Sequence, residues 1–156
     1  MEYTVKIVDG LPYLDEVKVM IKDYVQWLNR DLSFQNLEEE LADVAARYCE
    51  PNGHLLVALA DSGEVMGMVA YKKLSECTCE MKRLYVKESF RGSGAGDALI
   101  KEIITIARNE GLDEMVLDTI EPLKAAIALY ERNGFVQCAP YYHNPMPDVR
   151  YYSRAL

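Results

Sequence analysis

Histidine is scarce in this chain, with two in 156 residues, and there is one tryptophan. No cysteine or serine stands with a histidine partner in a recognisable nucleophile arrangement, so covalent catalysis by such a pair is not expected. The four cysteines, at 49, 77, 79 and 138, make no Cys-x-x-Cys pair, since one residue separates Cys77 from Cys79. That spacing would put both thiols on one face of a strand, and free thiols in a reducing compartment are expected rather than a metal site. Positive charge is also short: 17 Lys and Arg against 25 Asp and Glu leave a formal charge of −8. A phosphate backbone calls for a concentrated basic face, so nucleic acid is not expected as the main partner. The acidity suits small cationic substrates, and solubility is its plainer explanation. No apolar run reaches membrane-spanning length, and the N-terminus carries no signal-peptide pattern, so a cytoplasmic protein without a membrane partner is expected. Repeats, low-complexity tracts and linkers are missing too, which predicts a single domain over residues 1–156.

What is present reads as alternating elements. Tyr3 to Val8 predicts a strand. Leu14, Val17, Ile21, Val25 and Leu28 mark one face of a first helix that Pro12 introduces. A second helix is expected from Leu37, with Leu41, Val44, Ala45 and Tyr48 inward and Glu38, Glu39 and Glu40 as a solvated first turn. Pro51-Asn52-Gly53 and Asp61-Ser62-Gly63 are turns that delimit strands at Leu55 to Ala60 and Val65 to Leu74. Gly67 inside the second of these signals a bulge or a close backbone approach. Further on come a strand at Glu114 to Asp118, a helix from Pro122 stopped at Asn133-Gly134, and strands near Phe135 and Val149. The order β-α-α-β-β-β-α-β-α-β-β predicts a mixed α/β sheet.

The chemistry concentrates between Glu80 and Asp97. A strand-forming run to Val86 meets the glycine loop Arg91-Gly92-Ser93-Gly94-Ala95-Gly96, and an apolar helix follows with Leu99, Ile103 and Ala107 on one face. Glycines let several N–H groups converge, and a helix N-terminus favours negative charge, so this is a candidate anion site. A Walker loop would need Lys-Ser or Lys-Thr where Asp97-Ala98 stands. The dinucleotide fingerprint would need a glycine at Leu99. What fits is Arg-x-x-Gly-x-Gly, realised as Arg91, Gly94 and Gly96.

That loop, with Leu84-Tyr85-Val86 before it and Leu129-Tyr130 to Gly134-Phe135 after it, resembles the GNAT superfamily of acyl-CoA-dependent N-acetyltransferases. The resemblance spans essentially the whole chain. It implies the GNAT fold, acetyl-CoA as co-substrate with no metal, and transfer of acetyl to a primary amine by direct attack. The backbone from Arg91 through Gly92, Ser93, Gly94, Ala95, Gly96 and Asp97 would hold the pyrophosphate. Leu84, Tyr85 and Val86 would offer backbone groups to the pantetheine arm along a splayed strand edge, with the Val86 N–H as oxyanion donor. Tyr130 would protonate the departing thiolate, a phenol of pKa roughly 10 being suited to that task. Glu80, eleven residues before Arg91, would be the general base; the alternative is a strand carboxylate paired with Lys82. Trp27, Arg30 and Phe34 from the first helical region, and Tyr142 with its neighbours Tyr141, His143 and Asn144, would surround a small-molecule amine, Arg30 taking a carboxylate. Acetylation of a protein lysine or N-terminus, and a non-catalytic acyl-CoA-binding module, stay open as alternatives, as does a homodimer.

Overall fold

The computed structural model describes residues 4–30 and 36–156. Its centre is a seven-stranded sheet in the order β1-β2-β3-β4-β5-β7-β6. The strands are β1 (Lys6–Asp9), β2 (Gly53–Leu59), β3 (Val65–Lys73), β4 (Thr78–Val86), β5 (Glu114–Ile120), β6 (Val136–Cys138) and β7 (Val149–Ala155). All neighbours run antiparallel except β4 and β5. Helices α4 (Ala95–Asn109) and α5 (Lys124–Arg132) cover one face, and α1 (Leu14–Leu28), α2 (Leu37–Ala42) and α3 (Val44–Tyr48) cover the other. The mixed α/β class is observed, and so is the predicted element order except that three helices rather than two precede β2. No helix among the described residues is long and apolar enough to cross a membrane.

Each face has its own core because the strands alternate. Cys79 and Met81 of β4 and Met115 and Leu117 of β5 pack against Leu99, Ile103 and Ala107 of α4. On the other face Val57, Met68 and Ala70 pack against Val17, Met20 and Ile21 of α1 and Val44 and Tyr48 of α3. With two covered faces, β2 and β3 are buried almost throughout, so they read as apolar runs rather than alternating ones. Gly67 sits where a Cβ would lie 2.5 Å from the Tyr85 carbonyl oxygen, which is the close approach its position predicted.

Three local expectations need correction. The second helix is two, because Asp43 leaves the helical region and its side chain accepts the Ala46 N–H as a fresh N-cap. Cys77 precedes β4 and is exposed while Cys79 is buried, so the two thiols do not share a strand face. Glu40 is fully buried rather than solvated. Its partner is Arg83, 43 residues away and out of reach of any local pattern.

Candidate active site

β4 and β5 separate. They pair only at Thr78, Cys79 and Glu80 with Glu114, Met115 and Val116, although β4 runs on to Val86 and β5 to Ile120. β4 stays with β3 and β5 with β7, so from Met81 onward one edge of β4 has no strand beside it among the described residues. The β3 register slips so that Arg83 and Leu84 face the single residue Val69, and Arg83 takes φ 61°. This bulge changes which backbone groups face the gap. The Lys87 N–H bonds Met66 of β3. Alternation along an antiparallel ladder then turns the Val86 N–H toward the gap, where the sequence reading wanted an oxyanion donor.

The glycine loop ends this gap on the α4 side. Gly92 and Gly94 have φ of +82° and +90°, open to glycine at no steric cost. Gly96 is tight: a Cβ there would stand 3.3 Å from Leu129 of α5. Ser93 Oγ accepts the Ala95 N–H, while the amides of Gly92, Gly94, Gly96 and Asp97 find no acceptor among the described residues. Unpaired amides at the start of a fifteen-residue helix fit a phosphate. They border a cleft of about 460 Å³ between the loop and α5, floored by Leu84 to Val86. That size suits a cofactor arm. Among the site residues named from sequence, Arg91 bonds the Val86 carbonyl and lies over the Trp27 ring at 5.0 Å. Trp27 therefore stands at the mouth of this cleft, beside Tyr85. The Asp97 carboxylate points elsewhere, to Lys101 at 2.7 Å and to Asn133 at 3.1 Å, and these hydrogen bonds hold its pKa below the usual range. It ties α4 to the end of α5.

Tyr130 lines both this cleft and a narrow cavity of about 40 Å³ within the gap itself. It is 8% exposed, and its hydroxyl has no hydrogen-bond partner among the described residues. Burial first, then the nearby Tyr24 and Asp118, push its pKa well above the ordinary phenol value, so it stays protonated.

Beyond the gap lies the face of α1 to α3, where β4 presents Glu80, Lys82 and Arg83 and β5 presents Asp118. Arg83 grips Glu40 with two bonds, at 2.8 and 3.1 Å, and Tyr48 donates to the same carboxylate. Burial would raise the Glu40 pKa, but the Arg83 charge and these bonds outweigh it and hold the group below its usual range. Glu80 is 3% exposed and accepts from Tyr141, with Lys72 at 3.6 Å and Lys82 at 3.8 Å. Asp118 accepts from Tyr142 and from Asn144 at 2.8 Å. Arg30 makes a two-pronged pair with Asp148 at 2.9 Å, closing the 140–148 loop onto the end of α1, so its guanidinium is already engaged. His143 is exposed, and Phe34 lies outside the described residues.

Tyr24 and Asp118 were not singled out from sequence, yet Asp118 borders both narrow cavities and Tyr24 borders these and the large cleft. The available signal for Asp118 was the one charge inside the strand-forming run Met115 to Ile120. Far from this site, Glu50, His54 and Glu110 come close enough to share a cation, but Lys73 already pairs with Glu110 at 3.1 Å.

The profile of the acetyltransferase (GNAT) family matches residues 21–135. A Schizosaccharomyces pombe protein described as an uncharacterized N-acetyltransferase is 43% identical over 139 residues, covering 88% of this chain and 85% of its own. A GNAT-family acetyltransferase structure from Staphylococcus aureus superposes with a TM-score of 0.80 at 20% identity, covering 97% of this chain and 99% of its own. A Salmonella typhimurium structure solved with its cofactor acetyl-CoA gives 0.75 at 21% identity, over 99% and 94% of the two chains. The split strands, the glycine loop and these likenesses agree, and the chain belongs to the GNAT family of N-acetyltransferases.

Proposed function

We propose that the protein moves an acetyl group from acetyl-CoA to a primary amine of a small molecule. The observation that carries this reading is the β4–β5 gap, with unpaired loop amides at one end and Tyr130 where the cleft enters it. The unpaired edge of β4 fits an amide-bearing arm lying alongside as an added strand. Acetyl-CoA supplies a thioester whose acyl carbon a free amine can attack. The amine nitrogen bonds that carbon, the carbon–sulfur bond breaks, and the amine proton passes to solvent water on the acceptor face, which returns one to Tyr130. The Val86 N–H faces the carbonyl oxygen as charge builds on it, and Tyr130 gives its proton to the departing sulfur.

A small acceptor fits better than a polypeptide. The cavity on the acceptor side is about 30 Å³, and Arg30, paired with Asp148, ties Met146 of its wall to the end of α1. The Tyr141 and Tyr142 rings separate the buried carboxylates from the open groove outside. The Glu80 carboxylate, with two lysines and a tyrosine around it, is better placed to hold those groups than to take up a proton.

Calorimetry with acetyl-CoA, followed by thiol release across an amine panel, tests the reading. Tyr130→Phe should bind acetyl-CoA as wild type does and lose roughly a hundredfold in kcat, the usual weight of a general acid. Full activity in that variant would remove the acid role. No binding of acetyl-CoA by the wild type would remove the whole reading.

A further inference from the structure

Every buried or half-buried carboxylate on the acceptor face but one has a cation. Glu40 has Arg83, Glu80 has Lys72 and Lys82, and Asp148 has Arg30. Asp118 makes no ion pair within 4 Å among the described residues: its Oδ2 accepts from the Tyr142 hydroxyl and Asn144 Nδ2, both neutral, and Lys82, whose charge reaches it across the cavity, is paired with Glu80. The arrangement is built rather than incidental. Asn144 is 5% exposed, its N–H bonds the Tyr151 hydroxyl at 3.1 Å, and its Oδ1 accepts the Met146 N–H at 2.9 Å. Tyr151 in turn donates to the Tyr142 carbonyl at 2.8 Å. A chain of neutral donors thus fixes one oxygen of Asp118 and leaves the carboxylate facing both narrow cavities. A half-buried carboxylate without an ion-pair partner of its own is costly, and an arriving cation with N–H donors recovers that cost.

We infer that Asp118 binds the ammonium of the acceptor, and that the acceptor is an unbranched alkylamine with no carboxylate beside its amine. The inference rests on the acetyl-transfer reading above. Its second half follows from the cations. Arg30 and Arg83 are each held two-pronged by Asp148 and Glu40, and Lys82 is buried beside Glu80. An α-carboxylate would enter facing Asp118 and Glu80 with no free cation among the described residues. The walls between, Tyr24, Leu28 and Met146, suit an alkyl stem.

Pentylamine and norleucine differ by that one carboxylate, which makes them the matched pair for the test. Thiol release from acetyl-CoA should favour pentylamine by about tenfold or more in kcat/KM, as expected where an unpaired buried charge decides between substrates. Asp118→Asn should lower kcat/KM for pentylamine on the order of a hundredfold, mostly through KM, as for a truncated buried charge pair. Acetyl-CoA affinity and melting temperature are measured alongside to show that this variant is folded. Norleucine as the better acceptor, a change within about threefold in Asp118→Asn, or preference for a blocked lysine peptide over pentylamine would each overturn the inference while acetyl transfer stands. If neither amine is turned over, calorimetry on the CoA-saturated protein decides. Pentylamine binding that Asp118→Asn abolishes supports the assignment, and no pentylamine binding overturns it. Failure of acetyl-transfer itself is distinct, because acetyl-CoA then does not bind.

Discussion

The two sides of the β4–β5 gap are made differently. The cofactor side is mostly backbone: strand edge, glycine loop and the first turn of α4, all within residues 81–97, with α5 as the facing wall. The acceptor side is mostly side chains from distant positions, Arg30, Glu40, Glu80, Arg83, Asp118 and Asn144, held by hydrogen bonds that span as many as 118 residues, from Arg30 to Asp148. A backbone site depends on conformation and tolerates many side chains. A side-chain site depends on identity, and each buried charge in it must be matched. Substitutions on the two sides should therefore fail in different ways.

The largest effect is expected from Gly94→Glu. The added Cβ meets nothing within 4 Å, so crowding is not the problem. The position needs φ +90°, which costs a side chain about 1–2 kcal/mol, and it places a negative charge at the anion site. Acetyl-CoA affinity measured by calorimetry should fall on the order of a thousandfold, the several kcal/mol of a like-charge contact. Gly94→Ala, without the charge, should lose much less. Equal losses would mean that conformation alone matters there.

On the acceptor side the comparable change is Glu40→Ala, and its cost should appear as stability. Removing Glu40 leaves the Arg83 guanidinium buried without its partner at the bulge, a loss of about 3 kcal/mol by urea unfolding. Acetyl-CoA affinity of the folded fraction should stay within about twofold, because no contact of the glycine loop is lost. The same pair predicts an acid dependence. The folded Glu40 pKa lies below its ordinary 4.5. The stabilisation is then fully present above that value and fades as pH falls through the folded pKa. Glu40→Gln should flatten that limb. A variant that matches wild type in urea at neutral pH would show the pair to be energetically neutral.

The same contrast explains what could be read from sequence. Arg91 to Gly96 and the Tyr130 helix announce themselves locally, because glycines at positive φ and a helix start leave signatures a few residues long. The element order was legible for a related reason, since Pro51-Asn52-Gly53, Asp61-Ser62-Gly63 and Asn133-Gly134 punctuate the chain. Glu40 was misplaced because three consecutive glutamates look solvated, and its burial depends on Arg83 reaching back from the bulge. The bulge itself has no marker at Arg83, where φ 61° falls on a residue type that rarely adopts it. Arg30 looked free to bind a carboxylate until the loop brought Asp148 to it. Asp118 is the instructive omission. It acquires its meaning only from the absence of an ion-pair partner, which no linear pattern displays.

The smallest expected effect separates the two acceptor-face carboxylates. Glu80→Gln keeps an oxygen for the Tyr141 hydroxyl and removes a charge already offset by Lys72 and Lys82. If that carboxylate holds its neighbours rather than taking the acceptor's proton, kcat/KM should fall by less than about tenfold, short of the hundredfold or more that a general base contributes. Lys82 is the group to follow at the same time. Burial lowers its pKa and Glu80 opposes that shift, so losing the charge should lower it further and favour the neutral amine. The variant should therefore relieve a buried ammonium rather than strand it, which keeps the stability cost small. A hundredfold loss in Glu80→Gln, with the acidic limb of the pH–rate profile gone, would return the base role to Glu80.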